Sequence, residues 1–151
     1  MLREFDTNEI PIKHGVIFAI IDEEGRILLE KRNNDPKDQY FGYTIIPGGG
    51  IEEDEEIEDA LFREVREERD VTPTEYKKTG IVEEARGGGA IVFKHVFLIT
   101  NFEGTIVNKE EKNTQFWATM EEAEKLCEHP ISKKILASVK GSITEGENLG
   151  G

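Results

Sequence analysis

Gly49-Gly50-Ile51-Glu52-Glu53-Asp54-Glu55-Glu56-Ile57-Glu58-Asp59-Ala60-Leu61-Phe62-Arg63-Glu64-Val65-Arg66-Glu67-Glu68-Arg69-Asp70-Val71 is the stretch on which the reading of this chain turns. Reduced to its spaced residues it is G-x5-E-x7-R-E-V-x-E-E-x-D-V. Glu64, Glu67 and Glu68 stand at i, i+3 and i+4, so on an α-helix they share one face and can reach a common cation. Folding alone gives no reason for this, since like charges at i, i+4 cost about 0.2–0.5 kcal/mol per pair. The expected occupant of such a face is a hard divalent metal ion with oxygen ligands.

A helical wheel sharpens the point. At about 100° per residue with Ile57 at zero, Leu61 falls at about 40° and Val65 at about 80°, which defines a packing stripe. Glu68 falls inside it at about 20°, with Glu64 at about 340° and Glu67 at about 280° along its edge. Arg66, Arg69, Glu58 and Asp59 are expected on the solvated side. A carboxylate within a packing stripe is costly unless something pairs with it. A merely solvated acidic helix, the plain alternative in a chain with 32 acids, accounts for Glu52 to Glu56 but not for Glu68.

These residues resemble the signature of the Nudix hydrolases, G-x5-E-x7-R-E-U-x-E-E-x-G-U, where U is a bulky aliphatic residue. Eight of its nine specified positions are met, including every charged one, and Pro47-Gly48 resembles the usual lead-in. The motif spans 23 residues, and the order of flanking elements agrees with the family over roughly Pro11 to Ala137. The departure is Asp70, where the family has Gly. That position follows the last helical turn, where a left-handed residue commonly closes the helix, and Asp tolerates that geometry at a cost of about 1–2 kcal/mol. No metal ligand is removed by the change.

The resemblance implies an α/β/α sandwich, a mixed β-sheet flanked by helices, and hydrolysis of a nucleoside diphosphate linked to another moiety with Mg²⁺ or Mn²⁺. Carried over residue by residue, Glu64, Glu67 and Glu68 would be the metal ligands, and Glu64 or an acid outside the motif the general base. Arg63 would orient one of these carboxylates by a charge-assisted hydrogen bond; its alternative is a surface i, i+4 partner for Glu67. Arg32, after Leu28-Leu29, resembles a family strand whose arginine faces the substrate phosphates. Gly48 and Gly49 would let the backbone turn tightly and approach metal or helix. Glu55 lies about 180° round the helix from Glu64 and is expected to brace the loop. Many family members add an acid from a loop before a later strand; Glu110 and Glu111 are the candidates, against a simply solvated loop.

At 151 residues the chain is read as one domain, residues 1–140, with residues 141–151 a disordered tail with little to bury. No window approaches a membrane span, and the charged N-terminus does not read as a signal peptide. The single Cys127 rules out an internal disulfide and a cysteine-based zinc site, and suits a small buried residue in a reducing cytoplasm. A net charge of −13 argues against long nucleic acid but not against a small phosphorylated substrate, whose metal ions would bring the positive charge.

Along the chain, His14 to Ile21 and Arg26 to Arg32 read as a hairpin across Asp22-Glu23-Glu24-Gly25, and Tyr43 to Ile46 as a short strand feeding a Pro47-Gly48-Gly49-Gly50 turn. A helix from about Asp54 to Arg69 follows, then long strands at Lys77 to Arg86 and Ala90 to Thr100, the second mostly apolar and expected to be central. Gln115 to Ala118 reads as a strand, Met120 to Cys127 and Ile131 to Val139 as helices. Tyr40 is a candidate for stacking on a base, worth about 1–3 kcal/mol, against plain packing. Tyr43 and Trp117 are expected in the core, His14 and His95 as packing residues, and His129 in a loop.

The proline that marks ADP-ribose-type members is absent from Glu84-Ala85-Arg86-Gly87, as is the extended motif of the NADH type. What remains resembles a short MutT-type enzyme acting on nucleoside triphosphates. A non-hydrolytic nucleotide-binding or regulatory module is the alternative, although such modules are expected to have lost box carboxylates. An isomerase on the same scaffold would need a cysteine before the motif. Many relatives dimerise, and no feature of this sequence decides whether it is a homodimer.

Overall fold

The computed structural model describes residues 11–33, 35–108 and 113–146. Strand β1 (Ile12–Ile20) is followed by β2 (Ile27–Lys31), β3 (Thr44–Ile45), β4 (Gly48–Gly50), helix α1 (Ile57–Arg69), β5 (Thr72–Ala85), β6 (Ile91–Glu103), β7 (Thr114–Ala118), α2 (Met120–Leu126) and α3 (Pro130–Gly146). Four strands form a mixed sheet in the order β4-β1-β6-β5, and three form an antiparallel sheet in the order β3-β2-β7. The apolar β6 is central as expected, parallel to β1 over nine pairs from Ile12↔Ile91 to Ile20↔Ile99 and antiparallel to β5.

Alternation along β1 divides the core between two layers. Val16, Phe18 and Ile20 pack with Ala60, Leu61 and Val65 of α1, whereas Ile17, Ala19 and Ile21 pack with Ile135, Leu136 and Val139 of α3. Both helices therefore bury an apolar stripe on opposite faces of the sheets, giving the expected α/β/α sandwich. Full burial of a side chain such as Leu61 contributes about 1.5–3 kcal/mol. Among the described residues no helix is long and apolar enough to cross a membrane.

Several sequence expectations change. β1 and β2 do not form a hairpin: only Ile21 and Ile27 bridge them. The turn is built by Asp22, whose Oδ1 accepts from the backbone N–H groups of Glu24 and Arg26 at 2.9 and 2.8 Å. β1 is buried on both faces from Val16 onward, so it takes β4 and β6 as neighbours while the chain crosses to the second sheet. Gly48–Gly50 is not a turn but the edge strand β4, antiparallel to β1. The helix begins at Ile57, not Asp54, and Asp54 itself has φ 67°. Tyr43 is exposed, edge-on to His129 at 4.9 Å, while Trp117 packs against the α1 layer. The tail expected from Gly141 does not start there, because α3 continues through Gly146 and Ile143 carries its apolar spacing onto the core.

Arg69 is the largest correction. Expected in solvent, it is 0 % exposed and donates from Nη2 to Glu30 Oε1 at 2.6 Å. On the wheel it lies only about 40° beyond Val65, at the rim of the packing stripe, and buried Glu30 of β2 supplies its counter-charge. Asp70 closes α1 in the left-handed conformation, φ 63° and ψ 31°, and its N–H reaches the Arg66 carbonyl, as its position after the last turn led one to expect.

Candidate functional site

Strand β4 separates α1 from a cleft of about 320 Å³ that Gly48, Gly49 and Gly50 line. Neither Gly48 nor Gly49 has positive φ, so the need for glycine here is one of close approach. A Cβ on Gly48 would lie 2.3 Å from the Val16 carbonyl oxygen, and one on Gly49 would lie 2.1 Å from the carboxyl carbon of Glu64. The acidic helix face thus presses directly on bare backbone at the cleft edge.

Arg63 organises that face. Its Nε and Nη2 grip Glu55 at 2.7 and 2.9 Å, Nη2 also donates to the Gly50 carbonyl at 2.9 Å, and Nη1 donates to Glu64 Oε2 at 2.9 Å and Glu67 Oε1 at 3.3 Å. Arg63 therefore does more than pair with Glu67 on the surface. The Arg63 hydrogen bonds, helped by the Glu52 backbone, hold the Glu55 carboxyl down at about 2, and Glu55 foremost pushes the Arg63 guanidinium up. Glu55 also accepts from the Glu52 N–H at 3.0 Å, bracing the loop as expected.

Glu64 is buried, Glu68 half-buried and Glu67 exposed. Two oxygens, from Glu64 and Glu67, already face one cationic nitrogen, and an all-carboxylate set of this kind suits a hard divalent ion. Glu68 shares their helix face by spacing. Among the described residues no three His, Cys, Asp or Glu side chains are gathered so as to hold a metal. Glu110 and Glu111, the candidate extra acids, lie outside the described residues.

Across the cleft the charge reverses. Among the described residues Lys13, Arg32, Arg86 and Lys94 line it with a single acid, Asp38, in a chain of net charge −13. Arg32 does face this cleft; its Nε donates to Asp38 Oδ2 at 2.8 Å and its Nη1 to Glu30 Oε2 at 3.1 Å. Glu30 thus joins Arg32 to buried Arg69 at the end of α1. Tyr40 also lines the cleft, but its hydroxyl donates to the Glu84 carboxylate at 2.7 and 2.8 Å, with Lys94 Nζ 5.2 Å from its ring centroid and His129 against its edge. Its ring thus takes packing contacts from Lys94 and His129 while it lines the cleft. Burial and the Glu84 contact push the Tyr40 hydroxyl up; burial alone would also raise Glu84, but Tyr40, Lys94 and Arg86 outweigh it and hold that carboxyl low.

Glu84, Arg86 and Lys94 were not singled out from sequence as site residues. Lys94 left a trace, as a charge inside the apolar run Ile91–Leu98, but only strand pairing sets it beside Glu84. His14 and His95 sit on the α1 face of the sheet, Nδ1 to Nε2 at 3.0 Å, with Lys78 Nζ 2.7 Å from His95 Nδ1. Burial, then Lys78 and His14, lower the His95 pKa.

The family description "NUDIX domain" matches residues 12–139, and the chain belongs to this family. It is 33% identical over 110 residues to the CTP pyrophosphohydrolase of Escherichia coli K12, covering 72% of this chain and 77% of that protein. The solution structure of the Escherichia coli ORF135 protein superposes with a TM-score of 0.76 at 26% identity, covering 91% of this chain and 94% of that one. The crystal structure of a MutT NUDIX hydrolase from Burkholderia pseudomallei gives a TM-score of 0.70 at 25% identity, covering 85% and 98%. As a Nudix hydrolase the protein is a nucleotide pyrophosphohydrolase, and the family generally needs divalent metal ions.

Proposed function

We propose that this protein hydrolyses a nucleoside triphosphate of the kind MutT-type enzymes cleave, with Mg²⁺ or Mn²⁺ held by Glu64, Glu67 and Glu68. The observation that carries this reading is the contact at Gly49: a residue lining a cation-rich cleft has its missing side chain replaced by the Glu64 carboxylate. Acids suited to a metal and cations suited to a polyphosphate therefore meet across one strand of bare backbone.

A divalent ion bound to these carboxylates would neutralise the phosphates and lower the pKa of an attacking water. Arg63 keeps Glu64 aimed at the β4 edge while its two-point grip on Glu55 fixes the guanidinium itself. Arg32, anchored by Glu30 and Asp38, presents its charge to the phosphate tail. A carboxylate of the helix face, Glu64 first among them, accepts the proton of the water whose oxygen adds to phosphorus. The P–O–P bridge then breaks and the leaving phosphate carries off the bridging oxygen.

The test is pyrophosphate and phosphate release from nucleoside triphosphates with Mg²⁺ or Mn²⁺, comparing the native protein with Glu68→Gln. We expect turnover that stops with chelator and is lost in Glu68→Gln while the circular dichroism spectrum is unchanged. Full activity in Glu68→Gln removes the metal assignment. Nucleotide binding without any hydrolysis favours the regulatory module instead.

A further inference from the structure

The cleft holds one buried cation whose hydrogen-bonding capacity its neighbours do not use up. Lys94 is 9 % exposed and is the fourth residue of β6, which runs inside the sheet between β1 and β5. Its ammonium has a single carboxylate oxygen, Glu84 Oε1, at 3.4 Å, and the Tyr40 ring beneath it at 5.2 Å. An ammonium carries three donors. The other groups of this cluster are engaged with one another. Glu84 takes the Tyr40 hydroxyl on both oxygens and Arg86 from Nε and Nη2 at 3.3 and 3.1 Å. With the Gln39 amide turned to suit its surroundings, its oxygen also accepts from Arg86 Nη2 at 2.8 Å. Unused donors on a buried amine are costly, and the open side they face is the cleft.

The sheet register says which part of a nucleotide reaches Lys94. Gly50 pairs with Gly15, and Gly15 with Lys94, so Lys94 lies two strands from the β4 edge, about 9–10 Å at the usual strand spacing. That separation leaves room for a ribose between a phosphate at β4 and a ring at Lys94. Gly15 adds no side chain to the floor between them. The walls near Lys94 are aliphatic, from Val92 on the same strand and from Ile131 and Ile135 on α3, a setting that suits a flat base better than a phosphate.

We propose that Lys94 is the base-reading residue of this cleft: its ammonium donates to a ring carbonyl oxygen, so that the protein prefers nucleoside triphosphates whose base bears an oxo group to ATP. This rests on the nucleoside triphosphate reading above. Cytosine, uracil and guanine each offer a carbonyl oxygen to a donor-only site. Adenine has no carbonyl oxygen: where the other bases can present one it carries an amino group whose hydrogens the ammonium repels, and the ring nitrogens left to it as acceptors lie at other positions of the ring edge. Glu84, tied to the Tyr40 hydroxyl and to Arg86, holds Lys94 in position.

The experiment is kcat and KM for CTP, UTP, GTP and ATP with Mg²⁺, measured on the native protein, Lys94→Met and Lys94→Arg. The native protein should favour the three oxo-bearing substrates over ATP by about 10- to 100-fold in kcat/KM, the factor a hydrogen bond to a charged group carries. Lys94→Met should bring them down to the ATP level through KM with ATP little changed, and Lys94→Arg should restore part of the preference. An equal loss on all four substrates would place Lys94 on the phosphate tail and overturn the proposal. Equal native turnover of all four overturns it as well, whether or not the variants fold. No turnover of any of the four overturns the triphosphate reading and this one with it.

Discussion

Gly49→Ala isolates the contact between helix and cleft. The added Cβ would stand 2.1 Å from the Glu64 carboxyl group, against 3.4 Å for an ordinary contact, so something must retreat by about 1.3 Å. The strand has little freedom to do so: Gly49 pairs with Val16, and neighbouring Gly48 is hemmed in by the Val16 carbonyl oxygen. Glu64 is a flexible side chain held at its tip by Arg63, and it is the part that gives way. The loss in stability should then be small, about 1 kcal/mol for one weakened, partly exposed ion pair, or a drop of about 2–4 °C in Tm for a domain of this size. The loss in activity should be large, because misplacing a reacting group by about 1 Å costs on the order of 100-fold. The assay is metal-dependent kcat/KM beside thermal melting, with Gly50→Ala as the control, since a Cβ there meets nothing within 4 Å. If Gly49→Ala keeps activity within about threefold of the native protein, the contact has no bearing on catalysis and the reasoning fails.

Two further outcomes follow from the ion pairs. The Glu55 carboxyl is held at about 2 in the folded protein, below the ordinary value of 4.5 for a free glutamate. The stability it adds is therefore present above about 4.5 and lost as pH falls through about 2; urea midpoints followed over that window should decline in the native protein and less so in Glu55→Gln. Arg69→Met leaves Glu30 buried without its short partner and should cost about 3–5 kcal/mol, whereas Glu30→Met combined with Arg69→Met should recover most of that loss. Denaturant unfolding of the three proteins checks this, and a single variant as stable as the native protein would contradict it.

The sandwich and the acidic helix face were legible because both rest on local spacing. Leu61 and Val65 recur at helical period, β1 and β6 are apolar runs, and Glu64, Glu67 and Glu68 fall together on any helix drawn through them. What escaped depends on partners far away in sequence. Glu30 looks like the polar end of an ordinary strand until α1 brings Arg69 against it from 39 residues on. Lys94 and Glu84 look like isolated charges until β5 and β6 pair. The three glycines after Pro47 suggest a turn by composition, yet they are required because a carbonyl and a carboxylate already occupy the places their side chains would take.

The grip of Arg63 has a consequence for how this molecule comes to life. Where a metal site forms only with its ion, binding and folding are coupled and the apo chain stays unfolded. Here the guanidinium lies among Glu55, Glu64 and Glu67 and serves as a resident cation, offsetting their mutual repulsion when nothing else is bound. With that counter-charge in place, folding would not have to wait for a metal, and the acidic face would tolerate the loss and return of an ion bound there.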